Sequence, residues 1–60
     1  MLYTFFWIYV NSLGEETKGE TTLLAQNEAE AEKKFYETHK KLTPMSTSGY
    51  DVYNVWEESV

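Results

Sequence analysis

The first segment of the chain is apolar in both of its alternating registers. Residues 2–10 read LYTFFWIYV and contain no charged side chain. The two registers are Leu2, Thr4, Phe6, Ile8 and Val10 on one side, and Tyr3, Phe5, Trp7 and Tyr9 on the other. Aromatic and β-branched residues favour strands, and alternate residues of a strand point to opposite faces. The segment therefore predicts a strand with two apolar faces, each of which needs a cover.

The pattern of polar and apolar positions in the rest of the chain predicts two further strands, one helix and two loops. In chain order these are a hairpin loop at residues 11–18, a strand at 19–26, a helix at 27–42, a loop at 43–49 and a strand at 50–57. Alternation with period two indicates the strands, and the helix is indicated by a spaced apolar stripe. The chain is therefore expected to form a single domain over residues 1–60, with the element order ββαβ.

The predicted helix has well-marked ends. Asn27 can cap its first free amides, and Glu30 lies at the third helical position, as in a capping box. Because Thr43 precedes Pro44, it is disfavoured in helical geometry, so the helix is expected to end near Leu42. Two i,i+4 ion pairs in the favoured order are predicted, Glu30–Lys34 and Glu37–Lys41.

The order ββαβ allows two sheet arrangements. With a right-handed crossover, the third strand pairs antiparallel on the far side of the first, giving order 2-1-3, or lies parallel beside the second. The first arrangement is favoured because it places the most apolar strand in the centre. We therefore predict an α+β fold, a three-stranded and mostly antiparallel sheet with one helix packed on one face.

The single helix can cover only one face of this sheet. We expect it to cover the aliphatic register, because aliphatic side chains interdigitate well with a helix stripe. Its contact residues would be Leu2, Phe6, Ile8 and Val10, and the aromatic register would lie on the open side.

The aromatic side chains expected on the open side are the candidate binding site. The predicted partner-binding residues are Tyr3, Phe5, Trp7 and Tyr9, supported by Tyr53. Exposed apolar patches mark interfaces, and Tyr and Trp commonly anchor them. Four covers for this aromatic face are open: a second copy, another protein, the chain's own terminus and long loop, or stacked bases. We predict a non-catalytic protein–protein interaction module, with a structural homodimer as the alternative.

The charge balance argues against binding to nucleic acid. The formal net charge is −5, from ten acidic and five basic residues, and all of the basic residues are lysines. Affinity for nucleic acid rests on neutralising phosphates, which an acidic chain without arginine does poorly. The acidic surface suits solubility or a basic partner, and an acidic nucleic-acid mimic remains a further alternative.

Few side chains in this sequence can carry chemistry. There is no cysteine, and His39 and Asp51 are the only residues of their types. A metal site would need more ligands at matching spacing, and paired glutamates would need a pocket that separates their pKa values. The chain has neither a phosphate-binding glycine loop nor a known metal motif. We expect no enzyme activity, no cofactor and no metal.

The same composition favours a cytoplasmic protein that does not enter a membrane. A bilayer span needs ~20 apolar residues, many more than the apolar segment offers. The first residues also lack the basic region and the small-residue cleavage site of a signal peptide. The absence of cysteine fits a reducing compartment.

The centre of the chain resembles a group of small viral proteins. A hairpin with an acidic loop leads into LLAQNEAEAEKKF, and a last short strand follows. Over residues 15–42 this pattern resembles small phage-encoded ββαβ accessory proteins of the anti-CRISPR and host-takeover type. The resemblance implies an inhibitor that binds a host or defence macromolecule in the host cytoplasm. It transfers no functional residue, because no motif can be matched position by position.

Overall fold

The chain folds into one antiparallel sheet with one helix. The structure is a computed structural model that describes residues 1–59. Its elements are β1 (Leu2–Val10), β2 (Glu16–Leu24), α1 (Glu28–Thr38) and β3 (Gly49–Glu58). The strands are ordered β2-β1-β3, and β1 pairs antiparallel with both neighbours. The predicted α+β class, the ββαβ order and the 2-1-3 arrangement are confirmed.

The hairpin between β1 and β2 is tighter than predicted. The Asn11 side-chain oxygen accepts from the amides of Leu13 at 2.9 Å and Glu15 at 3.0 Å. Gly14 takes a φ of +83°, a left-handed conformation that glycine adopts without strain. Because these bonds close the turn by Glu15, β2 begins at Glu16 rather than at residue 19.

The N-terminus of α1 is capped as predicted. Asn27 has extended backbone angles, and its side-chain oxygen accepts from the Glu30 amide at 2.8 Å. The Glu30 carboxylate accepts from the Gln26 amide at 3.4 Å and pairs with Lys34 at 3.2 Å. The sequence therefore fixes the start of the helix through local polar contacts.

The C-terminus of α1 lies earlier than the predicted residue 42. The helix ends at Thr38, and His39 is already extended. The chain then runs beside β3, where the Tyr50 amide donates to the Lys40 carbonyl at 2.7 Å and the Leu42 amide donates to Tyr50 at 2.9 Å. These bonds to β3 replace the last helical turn. Lys41 therefore lies outside the helix, and its predicted i,i+4 pair with Glu37 has no helical basis.

The predicted orientation of β1 is wrong. Tyr3 and Phe5 are each 1% exposed and lie in the core under α1. The Phe5 ring stacks on Phe35 with 5.2 Å between centroids. The core is completed by Ala25 and Ala31. The aromatic register thus faces the helix, and Leu2, Phe6, Ile8 and Val10 lie on the opposite face of the sheet.

Small residues and polar partners explain why the helix covers aromatic rings. The helix buries one small side chain, Ala31, and one large ring, Phe35, so a second flat ring fills the space between helix and sheet. Trp7 lies against Gly19, where an added Cβ would be 2.5 Å from the indole. Its Nε1–H donates to the Thr21 hydroxyl at 2.9 Å. Aromatic bodies are thus buried while their polar groups stay bonded.

Further aromatic contacts extend this core toward the end of the helix. His39 stacks on Phe35 with 4.1 Å between centroids and an interplanar angle of 4°. The Tyr50 ring meets Trp7 edge-on with 5.0 Å between centroids, and it lies tilted against Tyr9 at 4.7 Å. The half-buried Trp7 and Tyr9 therefore support the fold on the helix side of β1.

Adjacent phenylalanines on β1 offer a direct test of this orientation. We expect Phe5→Ala to lower the free energy of unfolding by about 3–5 kcal/mol, because it empties the stacked core position. Phe6→Ala should cost about 1 kcal/mol or less, since its ring is only half-buried on the face without a helix. Urea denaturation followed by circular dichroism measures both, and equal costs would contradict the orientation.

Candidate protein-interaction surface

One face of the sheet has no helix over it, and we call it the open face. In its centre are Leu2, Thr4, Phe6, Ile8 and Val10 of β1, all half-buried. The register places Leu24 and three charged residues of β2 beside them, and Trp56 of β3 opposite Thr4. Leu24 is 60% exposed and Trp56 is 69% exposed. The open face therefore has an apolar centre on a strand that is paired on both sides.

A β-bulge concentrates aromatic side chains on this face. β3 pairs Asn54 with Phe6 but Val52 with Trp7, so Tyr53 is an extra residue in the ladder. The Tyr53 ring lies 6.5 Å from that of Phe6, and Trp56 meets Phe6 edge-on at 6.4 Å. Phe6, Tyr53 and Trp56 form what we call the aromatic triad. Strict alternation along β3 would have separated Tyr53 from Trp56.

The apolar centre of the open face has an acidic rim. The register places exposed charged residues around it, namely Glu16, Lys18 and Glu20 on β2 and Glu58 on β3. Within residues 1–59 the ion pair found is Lys34 with Glu30, so these rim charges are free to meet a partner. The rim carries more negative than positive charge, in line with the chain as a whole.

The predicted binding residues divide between the two faces. Tyr3 and Phe5 are core residues and cannot anchor a partner in the folded state. Trp7 and Tyr9 are half-buried on the helix side. Only Tyr53, at 56% exposure, lies in the aromatic triad on the open face.

Sequence reasoning missed Phe6, Trp56 and Leu24 as surface residues. A usable signal was present in β2, where Glu16, Lys18 and Glu20 share one register. A register with three charges faces solvent, and antiparallel pairing places the Phe6 register of β1 on the same face.

The helix side carries polar contacts that stabilise the core. The Tyr3 hydroxyl donates to the Glu57 carboxylate at 3.0 Å. Burial first, and then this bond and the negative charge of Glu57, raise the pKa of Tyr3. His39 Nδ1 lies 2.9 Å from the Phe35 carbonyl, at the end of the helix. His39 therefore has a structural place in the fold.

The helix and β3 border a groove of about 320 Å³. Its floor is Phe5 with Val52 and Val55, and its polar rim is Glu32, Lys41 and Asp51. Burial raises the pKa of Tyr36 in its wall. Among residues 1–59, no three acidic, histidine or cysteine side chains are grouped to hold a metal ion. The groove therefore has an apolar floor, and its rim carries both acidic and basic side chains.

No protein-family model, no curated protein and no solved structure matches this chain. Within the described part of the chain, no helix combines the length and the apolarity needed to cross a bilayer. Of the two surfaces described above, the open face is the one that exposes large aromatic side chains, Tyr53 and Trp56.

Alkaline pH should destabilise the fold through Tyr3. Because its pKa is raised above 10.0 in the folded state, the contribution of Tyr3 is intact below pH 10.0 and is lost as the pH rises through the raised value. Tyr3→Phe removes this titration, so its urea midpoint should fall less between neutral and alkaline pH than that of the wild type. Tyr53→Phe, exposed on the open face, is the matched control. Equal pH dependence of Tyr3→Phe and the wild type would contradict the prediction.

Proposed function

We propose that this chain is a non-catalytic protein-binding module that contacts its partner through the open face. The observation that carries the proposal is the aromatic triad on a sheet face without a second layer, in which Tyr53 and Trp56 are exposed beside the half-buried Phe6. Apolar patches of this kind mark interaction sites, and Tyr and Trp are frequent hot-spot residues.

The position of the triad supports binding without large rearrangement. Phe6 lies on β1, which is hydrogen-bonded on both sides, and Tyr53 and Trp56 lie on the adjacent strand. Side chains presented by a paired sheet lose less conformational freedom on binding than side chains on a loop. The open face is thus a preorganised surface.

The acidic rim selects the kind of partner. Glu16, Glu20 and Glu58 outnumber Lys18 around the apolar centre. Complementary charge accelerates association and disfavours wrong partners, so a partner with basic residues around an apolar patch fits this face. Two copies meeting through their open faces would bring two acidic rims together, which favours another protein over a homodimer at this surface.

The resemblance to phage accessory proteins suggests what kind of partner the open face binds and what the binding does. It implies that the partner is a host or defence protein and that binding inhibits it. With no cysteine in its 60 residues, the chain suits a reducing cytoplasm, that of the host if it is phage-encoded.

Substitutions in the triad test the proposed function. The wild-type protein, immobilised through a terminal tag, should retain a specific protein from a lysate of its source cells. Trp56→Ser combined with Tyr53→Ser should reduce that retention about tenfold or more, since hot-spot truncations cost about 2 kcal/mol or more. Quantitative mass spectrometry of the retained proteins measures the effect.

A matched control separates the triad from general surface apolarity. Leu13 is 82% exposed in the hairpin turn, away from the open face, so Leu13→Ser should retain the same protein as the wild type. Unchanged retention by the triad variant, with its circular dichroism intact, would refute the open face as the contact surface.

A further inference from the structure

The two edges of the sheet are not equally protected. Along β3, residues 40–42 bond to Tyr50, and the bulge at Tyr53 interrupts the strand. The β2 edge keeps a continuous register with β1 from Glu16 to Leu24 and contains no proline. At one end of it, the Lys34 ammonium donates to the Leu24 carbonyl at 3.0 Å. The rest of β2 is an edge without a bulge, of the kind that pairs with another strand.

Hydrogen bonds at both ends of the hairpin show which β2 groups face outward. The Asn11 amide donates to the Glu15 carbonyl and the Ala25 amide donates to the Met1 carbonyl, both at 3.0 Å. Residues of β2 bond inward to β1 at every second position, so the odd-numbered ones face β1. The outward-facing main-chain groups belong to Glu16, Lys18, Glu20, Thr22 and Leu24.

We propose that two copies of this chain pair antiparallel through β2, with a two-fold axis at Gly19, to form one six-stranded sheet. Only residues whose main-chain groups face outward can form hydrogen bonds across the contact, and in β2 these are the even-numbered residues. Even-numbered residues pair with each other only if the two-fold axis passes through a residue and not between two residues. An axis at Gly19 places Lys18 opposite Glu20 of the second copy, and Glu20 opposite its Lys18. Both charge pairs are favourable cross-strand pairs.

Other positions of the axis fit the charges less well. An axis at Lys18 or at Glu20 would place that residue opposite itself, which is repulsive. An axis at Thr21 pairs no opposite charges. An axis at Thr17 pairs Glu16 with Lys18 but overlaps only residues 16–18 of the two strands, whereas the axis at Gly19 overlaps residues 16–22.

On the helix side of the sheet, the side chains that would meet across the contact between the two β2 strands also fit each other. The axis at Gly19 places Thr17 opposite Thr21 of the second copy, a favourable cross-strand combination. The Trp7 indole reaches over Gly19, within 2.5 Å of where a Cβ would be, and bonds to Thr21. Paired strands lie about 4.8 Å apart, so the two Trp7 rings would meet over the axis. The half-exposed indole would gain a cover there.

This pairing goes beyond the proposed function: it engages Lys18 and Glu20 of the rim with the second copy and leaves the exposed Tyr53 and Trp56 of the triad uncovered. The two open faces would join into one surface, because neighbouring strands of a sheet share their faces. Within the aromatic triad, Phe6 lies on β1 beside Glu20 of β2, and Tyr53 and Trp56 lie on β3, the strand farthest from the contact between the two copies. A dimer of this kind therefore presents two triads to a partner.

Charge swaps on the full chain test the pairing. Sedimentation equilibrium over a range of concentrations should show the wild type associating to twice 7.0 kDa. Lys18→Glu and Glu20→Lys should each raise the dimer dissociation constant about tenfold, since each acts twice across the axis. The double variant Lys18→Glu/Glu20→Lys exchanges the two charges and should restore the wild-type dissociation constant.

Two charge changes on the helix serve as controls, and hydrogen exchange at β2 amides is a second measurement of the pairing. Lys33→Glu and Glu37→Lys make the same charge changes at exposed helix positions and should leave the dissociation constant unchanged. Hydrogen exchange at the outward-facing amides of Lys18 and Glu20 should slow in the dimer. A monomer at every concentration would overturn the proposal, as would a dimer insensitive to the swaps. A dimer lost only in the Trp56→Ser variant would place the self-contact on the open face, against both this pairing and the proposed function.

Discussion

The fold depends on one stacked pair of rings, Phe5 of the central strand against Phe35 of the helix. The helix has eleven residues and buries only Ala31 and Phe35, so it brings very little apolar surface to the core. A sheet face that meets such a helix has to supply bulk, and the aromatic register of β1 supplies it through Tyr3 and Phe5. Once that register is turned toward the helix, the other register is left for the surface.

The open face follows from this constraint. Burying the aromatic register is possible because Tyr3 bonds to Glu57 and Trp7 bonds to Thr21, so no polar group of these two side chains is buried without a partner. Phe6 then lies on the uncovered side, where the bulge at Tyr53 adds a second ring. The same chain thus builds its core and its proposed contact surface from the two registers of a single strand.

The elements of this fold could be predicted from sequence, but the faces could not. Alternation located the strands, Asn27 marked the start of the helix, and the apolarity of β1 identified it as the central strand. Both registers of β1 are apolar, so hydrophobicity could not distinguish inside from outside. That choice depended on small residues such as Gly19 opposite large rings, and on the charged register of β2. The bulge and the early helix end arise from long-range bonds that local patterns do not encode.

The central claim is that the aromatic register of β1 faces the helix, and ring-to-ring nuclear Overhauser contacts test it most directly. The nuclear Overhauser spectrum should be recorded on protein whose phenylalanine rings are selectively labelled. The account predicts strong contacts between the rings of Phe35 and Phe5, whose centroids lie 5.2 Å apart, and none between Phe35 and Phe6. Contacts from Phe35 to Phe6 in place of Phe5 would contradict this claim, because they would mean that the aromatic register of β1 faces away from the helix.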